Sequence, residues 1–202
     1  MKSLTYYIQE KLIIKKNKSA NYKYFPETKK ELKLIIENRI KEEGNEVNLN
    51  NIDVSKITDM SELFERTDFN GDISNWDVSN VKDMRFMFYG CKKFNQDISS
   101  WDVSNVTNMN DMFDGCVIFN KDISQWDVSK VQTMYGMFYG CGDFNQDISK
   151  WDVSNVVDMS YMFYGCKKFN QDISKWNAQK VKASHYMFYR CLIEEKYKPN
   201  FK

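Results

Sequence analysis

The chain has 202 residues, with 29 Lys+Arg against 28 Asp+Glu, a net charge of +1, 42% hydrophobic residues and two prolines. That balance argues against a dedicated nucleic-acid binder, which needs a strongly basic face, and the apolar content argues against a disordered chain. No run approaches the roughly 20 apolar residues that span a bilayer, so no transmembrane segment is expected.

The first element is an amphipathic helix over Ser3 to Lys16, where Leu4, Ile8 and Leu12 recur at four-residue spacing. The stretch Met1 to Lys18 lacks the apolar core and cleavage site of a signal peptide, and no lipobox cysteine or anchor is visible, which points to the cytosol. Thr28-Lys29-Lys30-Glu31 then reads as a capping box that opens a second helix. Leu32, Ile35, Ile36 and Ile40 give it an apolar stripe, and Gly44 is its natural stop. Residues 1–46 are therefore expected to form an N-terminal helical cap over the next segment.

That segment, 47–193, is one sentence repeated. Trp76, Trp101, Trp126, Trp151 and Trp176 stand 25 apart, as do Cys91, Cys116, Cys141, Cys166 and Cys191. A fixed period of this size is the signature of stacked repeats. The first copy has Ile52 in place of Trp and is one residue short between Phe64 and Phe69. The last copy decays through Asn177, Ala178, Gln179, Ser184 and Arg190. Both departures suit the ends of a stack. Residues 194–202 read as a charged C-terminal tail.

Inside a copy, Val106, Met109, Met112 and Phe113 fall on one face of a short helix that Ser104 or Asn105 would cap and Gly115 would end. Phe119, Ile123, Trp126 and Val128 read as a brief extended segment. The expected fold is an α/β solenoid, a leucine-rich-repeat-like stack of about six 25-residue coils, each with one short helix and one short strand. The recurring Phe, Ile, Trp, Val, Met and Cys fill its interior, and the five cysteines are expected as free buried thiols. The column Asn70, Asn95, Asn120, Asn145 and Asn170 is placed to satisfy backbone groups of its own and the next coil. The columns led by Asp72 and Asp77 either cap turns or form a calcium ladder.

The phrase Phe-Asn-Gln-Asp-Ile-Ser-x-Trp-Asp-Val-Ser-Asn-Val, followed by Met-x-x-Met-Phe-x-Gly-Cys, resembles the BspA-like bacterial surface-protein repeat over about residues 47–191. That family is a leucine-rich-repeat relative that also occurs in mycoplasma lipoproteins. The resemblance implies an extracellular adhesion or host-interaction role, at the cell surface or secreted.

Chemistry is hard to find. His185 is the only histidine and has no carboxylate or serine at motif spacing. Cysteines 25 apart do not make a zinc knuckle, and no phosphate-binding Gly-rich loop occurs. Like groups in rows are what packing demands, whereas catalysis needs unlike groups converging, so no enzyme activity, cofactor or metal is expected. The information for binding lies where copies differ. One row holds Arg85, Asn110, Tyr135, Ser160 and His185, and its neighbour holds Phe86, Asp111, Gly136, Tyr161 and Tyr186. A loop row holds Lys92, Val117, Gly142, Lys167 and Leu192. These positions are expected to be exposed, either drifting on a solvated face or forming the footprint of a protein partner. The row Tyr89, Tyr139, Tyr164 and Tyr189, broken by Asp114, is either an aromatic strip for protein or glycan or half-buried packing. The alternatives are a carbohydrate or matrix adhesin using aromatic rows, and a structural or calcium-stabilised spacer.

Overall fold

The computed structural model of the chain describes residues 22–201. The helix expected over Ser3 to Lys16 lies outside them. The second helix, α1, runs Lys29–Glu43 with Thr28 as N-cap and Gly44 as C-cap. Thr28 Oγ1 accepts from the Glu31 N–H at 3.2 Å. The reciprocal arm of the box lands one residue early: Glu31 Oε2 accepts from the N–H of Glu27 at 2.8 Å. α1 buries Leu32, Ile35 and Ile36 in the same apolar core as Leu49 and Ile52 of the first copy. Arg39 fastens it, donating to Asn51 Oδ1 at 3.1 Å and to Glu43 Oε1 at 2.6 Å.

The repeats do not form an α/β solenoid of helix-strand coils. They are built almost wholly from turns and extended coil, and α1 is the one α-helix among the described residues. Strand structure among the described residues is limited to isolated parallel bridges, one between Tyr24 and Ile52 and the others joining Asp59, Asp83, Asn108, Thr133, Asp158 and Ala183 in succession. The expected strand around Trp126 and the expected helix from Val106 to Phe113 are both absent.

Backbone dihedrals give the reason. Each copy carries two residues in the left-handed region four apart: Phe86 (φ 56) and Gly90 (φ 72), then Asp111 (φ 52) and Gly115 (φ 73), then Gly136 (φ 57) and Gly140 (φ 68). A left-handed residue interrupts an α-helix, and these turn alternate N–H groups out of the coil. Met84, Phe86, Phe88 and Gly90 donate to the carbonyls of Asn108, Asn110, Met112 and Asp114 in the next copy, at 2.7–3.0 Å. The residues between them close tight turns within the copy, Met87 N–H onto Met84 and Cys91 N–H onto Phe88. The apolar residues that mimic a helical stripe are the first and last corners of these turns. Further round, Phe94 bonds to Cys91, Trp101 to Ile98 and Val106 to Val103 in the same way.

Turns alone bury no continuous ladder, so side chains complete the joints between coils. The indole Nε1 of Trp101, Trp126, Trp151 and Trp176 donates to the carbonyl of Ile73, Ile98, Ile123 and Ile148 in the preceding coil, at 3.1–3.2 Å. The thiols of Cys116, Cys141 and Cys166 donate to the carbonyls of Phe88, Phe113 and Phe138, each at 3.0 Å. All five cysteines are free. Asn70 Oδ1 accepts from the N–H of Asn95, and the relay continues through Asn120, Asn145 and Asn170 to the N–H of Glu194, at 2.9–3.0 Å. The interior between these joints is stacked rings: Phe88 lies 3.9 Å from Phe94 in its own coil and 5.6 Å from Phe113 in the next. Beyond the last copy the chain folds back. A 3-10 turn spans Glu195–Tyr197, the Tyr197 carbonyl accepts from Ile173 N–H, and Tyr197 and Phe201 pack on the core.

Candidate partner-binding face

The two varied rows run next to each other, because they are consecutive positions at the start of the left-handed turn. In the first, Arg85, Tyr135 and His185 are exposed and Asn110 is half-buried. In the second, Phe86 and Tyr161 are half-buried and Tyr186 is 61% exposed. Exposure fails at Gly136, Ser160 and Asp111, which are buried. The last two are short side chains flanked by larger ones. Ser160 sits beside Tyr161, whose ring meets that of Tyr135 at 5.5 Å, and Asp111 leans across the neighbouring coil at Gly136. The loop row is exposed at Lys92, Val117, Lys167 and Leu192.

The Tyr row joins the second varied row into one aromatic patch over the last three copies. Tyr139 stacks on Tyr164 at 4.5 Å, and Tyr164 on Tyr189 at 5.1 Å. Tyr161 bridges the rows, 5.5 Å from Tyr186 and 6.1 Å from Tyr164. On the N-terminal side Phe86 and Tyr89 meet edge to face at 5.6 Å, and the Arg66 guanidinium lies 5.4 Å over the Tyr89 ring.

Between the two aromatic groups lies one copy that has acids in both places. Asp111 stands where its neighbours have Phe86 and Gly136, and Asp114 stands where they have Tyr89 and Tyr139. Gly136 makes the room. A Cβ there would fall 2.1 Å from Asp111 Oδ1. Burial lifts the Asp111 carboxyl to about 6. Burial, and then the charge of Asp111, lift Asp114 to about 7. The Tyr135 hydroxyl is raised by its own burial and then by Asp111. Neither carboxylate accepts a hydrogen bond or forms an ion pair with any described residue. Asp114 is legible in the sequence only as a gap in the Tyr row. The substitution of both aromatic positions in one copy is the available signal.

The remaining acids are placed differently. Asp97, Asp102, Asp127, Asp147 and Asp152 each accept from the N–H of the serine two residues on, at 3.0 Å. Hydrogen bonds from those serines hold the carboxyls below their usual range. These columns cap turns. No group of three or more His, Cys, Asp or Glu that could hold a metal ion occurs among the described residues. No helix among them is long and apolar enough to cross a membrane.

The family model described as Mycoplasma protein of unknown function, DUF285, matches twice, over residues 36–141 and 113–195. The chain is a member of the DUF285 family. No curated protein and no solved structure gives a significant match. The two overlapping matches to the DUF285 chain take in the C-terminal end of α1 and the repeats through Glu195, and so include the whole patch. A DUF285 match is compatible with the BspA-like resemblance of the repeated phrase. In this DUF285 member the constant positions are spent on the interior and on the joints between coils. The varied ones gather at Asp111, Asp114 and the rings around them.

Proposed function

We propose that this DUF285 repeat protein is a non-enzymatic binding scaffold that holds a protein partner on the face formed by the two varied rows and the Tyr row, at a bacterial surface or host interface. The observation that carries this reading is the joining of independently varied positions into one continuous patch of exposed and half-buried rings from Tyr135 to Tyr189. Aromatic residues are enriched in the centres of protein interfaces, where they add area at small entropic cost. The BspA-like resemblance supports the surface setting.

The test is cross-linking and capture with the whole chain against its Tyr135→Ala/Tyr161→Ala/Tyr186→Ala variant. Partners recovered by the parent and lost by the variant support the face, whereas equal recovery overturns it. A glycan array run on both proteins decides against the protein reading if glycans bind and the variant loses them.

A further inference from the structure

The charge at the centre of the patch is uncompensated, and that says what the partner brings. Asp111 is only 8% exposed, yet it has no donor and no cation among the described residues. Buried carboxylates are ordinarily paired, because losing water without a partner is costly. The arginines of the two preceding coils are engaged elsewhere: Arg85 sits 3.4 Å from Asp83 Oδ2, and Arg66 lies over the Tyr89 ring. The site is nevertheless open, since no side-chain nitrogen or oxygen among the described residues is sealed from solvent without a partner.

Resting on the protein-binding reading above, we propose that Asp111 and Asp114 form an acidic notch, walled by Phe86 and Tyr89 on one side and Tyr135 and Tyr139 on the other, that receives an Arg or Lys side chain of the partner. Three features converge on that ligand. The unfilled lone pairs of two carboxylates want N–H donors, and charge-assisted bonds to them are the strong ones. The flanking rings present negative faces that attract a cation. Gly136, with no side chain, is what admits the Asp111 carboxylate to this position, since a Cβ there would fall 2.1 Å from Oδ1. A quaternary ammonium would suit the rings but offers no N–H to the carboxylates, and a metal ion lacks a third acidic, His or Cys ligand among the described residues.

The experiment is an amide-shift NMR titration of the whole chain with blocked pentapeptides Gly-Gly-Xaa-Gly-Gly, where Xaa is Arg, Lys or citrulline, and with choline. The Arg and Lys peptides are expected to shift the amides of Asp111, Asp114, Tyr135 and Gly136, with citrulline weaker by about tenfold. Asp111→Asn/Asp114→Asn keeps the shape and is expected to lose about tenfold or more. Asp97→Asn/Asp102→Asn, which removes the same charge from turn caps, should stay within about twofold. Equal shifts with Arg and citrulline, equal binding by the two double variants, silence at the notch, or shifts with choline alone would each overturn the proposal. Partner capture that depends on the tyrosines but not on the two acids overturns the notch and leaves the scaffold reading standing.

Discussion

The carbonyl of Ile98 accepts twice, from the N–H of Trp101 in its own turn at 3.2 Å and from the indole of Trp126 in the next coil at 3.1 Å. The Phe88 carbonyl does the same with the Cys91 N–H at 2.9 Å and the Cys116 thiol at 3.0 Å. Tryptophan and cysteine thus do one job at two corners of the coil: each fills the second lone pair of a turn carbonyl that the turn itself leaves open. Trp126→Phe keeps most of the packing and leaves that carbonyl with one partner. The expected loss is about 0.5–1.5 kcal/mol, against about 3–5 kcal/mol for Trp126→Ala, read by denaturant unfolding. Equal losses for the two would show that the indole N–H contributes nothing.

Gly136 and Asp111 are coupled sterically. Gly136→Ala places a methyl against Asp111 Oδ1 at a residue with φ +57, and should cost about 1–3 kcal/mol. Asp111→Gly, at φ 52, removes the obstacle, so in that background the same alanine should cost well under half as much. A double-mutant cycle measures the difference, and additivity would mean that the backbone, not the carboxylate, demands glycine.

The four interior thiols should be inert in the folded protein. Burial, with Thr67 bonding against it, pushes Cys91 up to about 11, and burial raises Cys116, Cys141 and Cys166 well above the usual thiol range. A thiol-disulfide reagent at pH 8 should modify Cys191 first, since it is the one only partly buried, and the other four only on unfolding. Rapid modification of all five in native buffer would contradict the stacked core.

Stability should rise and then fall as the solution is acidified. Asp111 and Asp114 titrate higher folded than unfolded, so the folded state takes up protons first. The penalty on their charged forms holds above about pH 7 and is relieved as pH falls through about 7 and 6. The serine-bonded carboxyls titrate lower folded than unfolded. Their contribution is complete above about pH 5, and it drains away as pH falls through about 4 and below. The melting midpoint should therefore peak by a few degrees near pH 5. Asp111→Asn/Asp114→Asn should flatten the neutral limb alone, and an unchanged limb in that variant would remove the two acids as its source.

Calcium should leave that midpoint where it is. The carboxylates in the Asp columns are occupied by serine donors, so adding calcium or chelator at constant ionic strength should shift melting by less than about one degree. A rise of several degrees with calcium would restore the ladder reading.

The columns are readable in the sequence because they obey the simplest rule of a stack, that each coil presents the same shape to the next. Phe88, Trp101 and Cys116 are buried because their equivalents lie directly above and below. α1 is readable from Thr28 and Gly44, whose capping roles are local. The helix expected within each copy is absent because apolar residues at i, i+3 and i+7 also arise from consecutive four-residue turns whose end corners face inward. Gly136, in a row with Phe86, Asp111 and Tyr161, is the clue, since a glycine four before the Gly140 column suits two left-handed corners better than a helix interior. The notch is illegible for another reason. It depends on side chains from three successive coils, and no single copy contains it.

The asparagine relay from Asn70 to Glu194 has a genetic consequence. Each rung joins residues 24 or 25 apart, so excising or duplicating one whole coil returns every donor to an acceptor of the same kind. Losing a single residue from a middle coil instead shifts all later rungs out of line. Length can thus change by recombination between identical phrases while α1 and the C-terminal fold-back stay in place. The first copy, which is one residue short between Phe64 and Phe69, shows where such a slip is tolerated: against the cap, where Arg66 keeps the left-handed corner that Gly90 holds in the next copy.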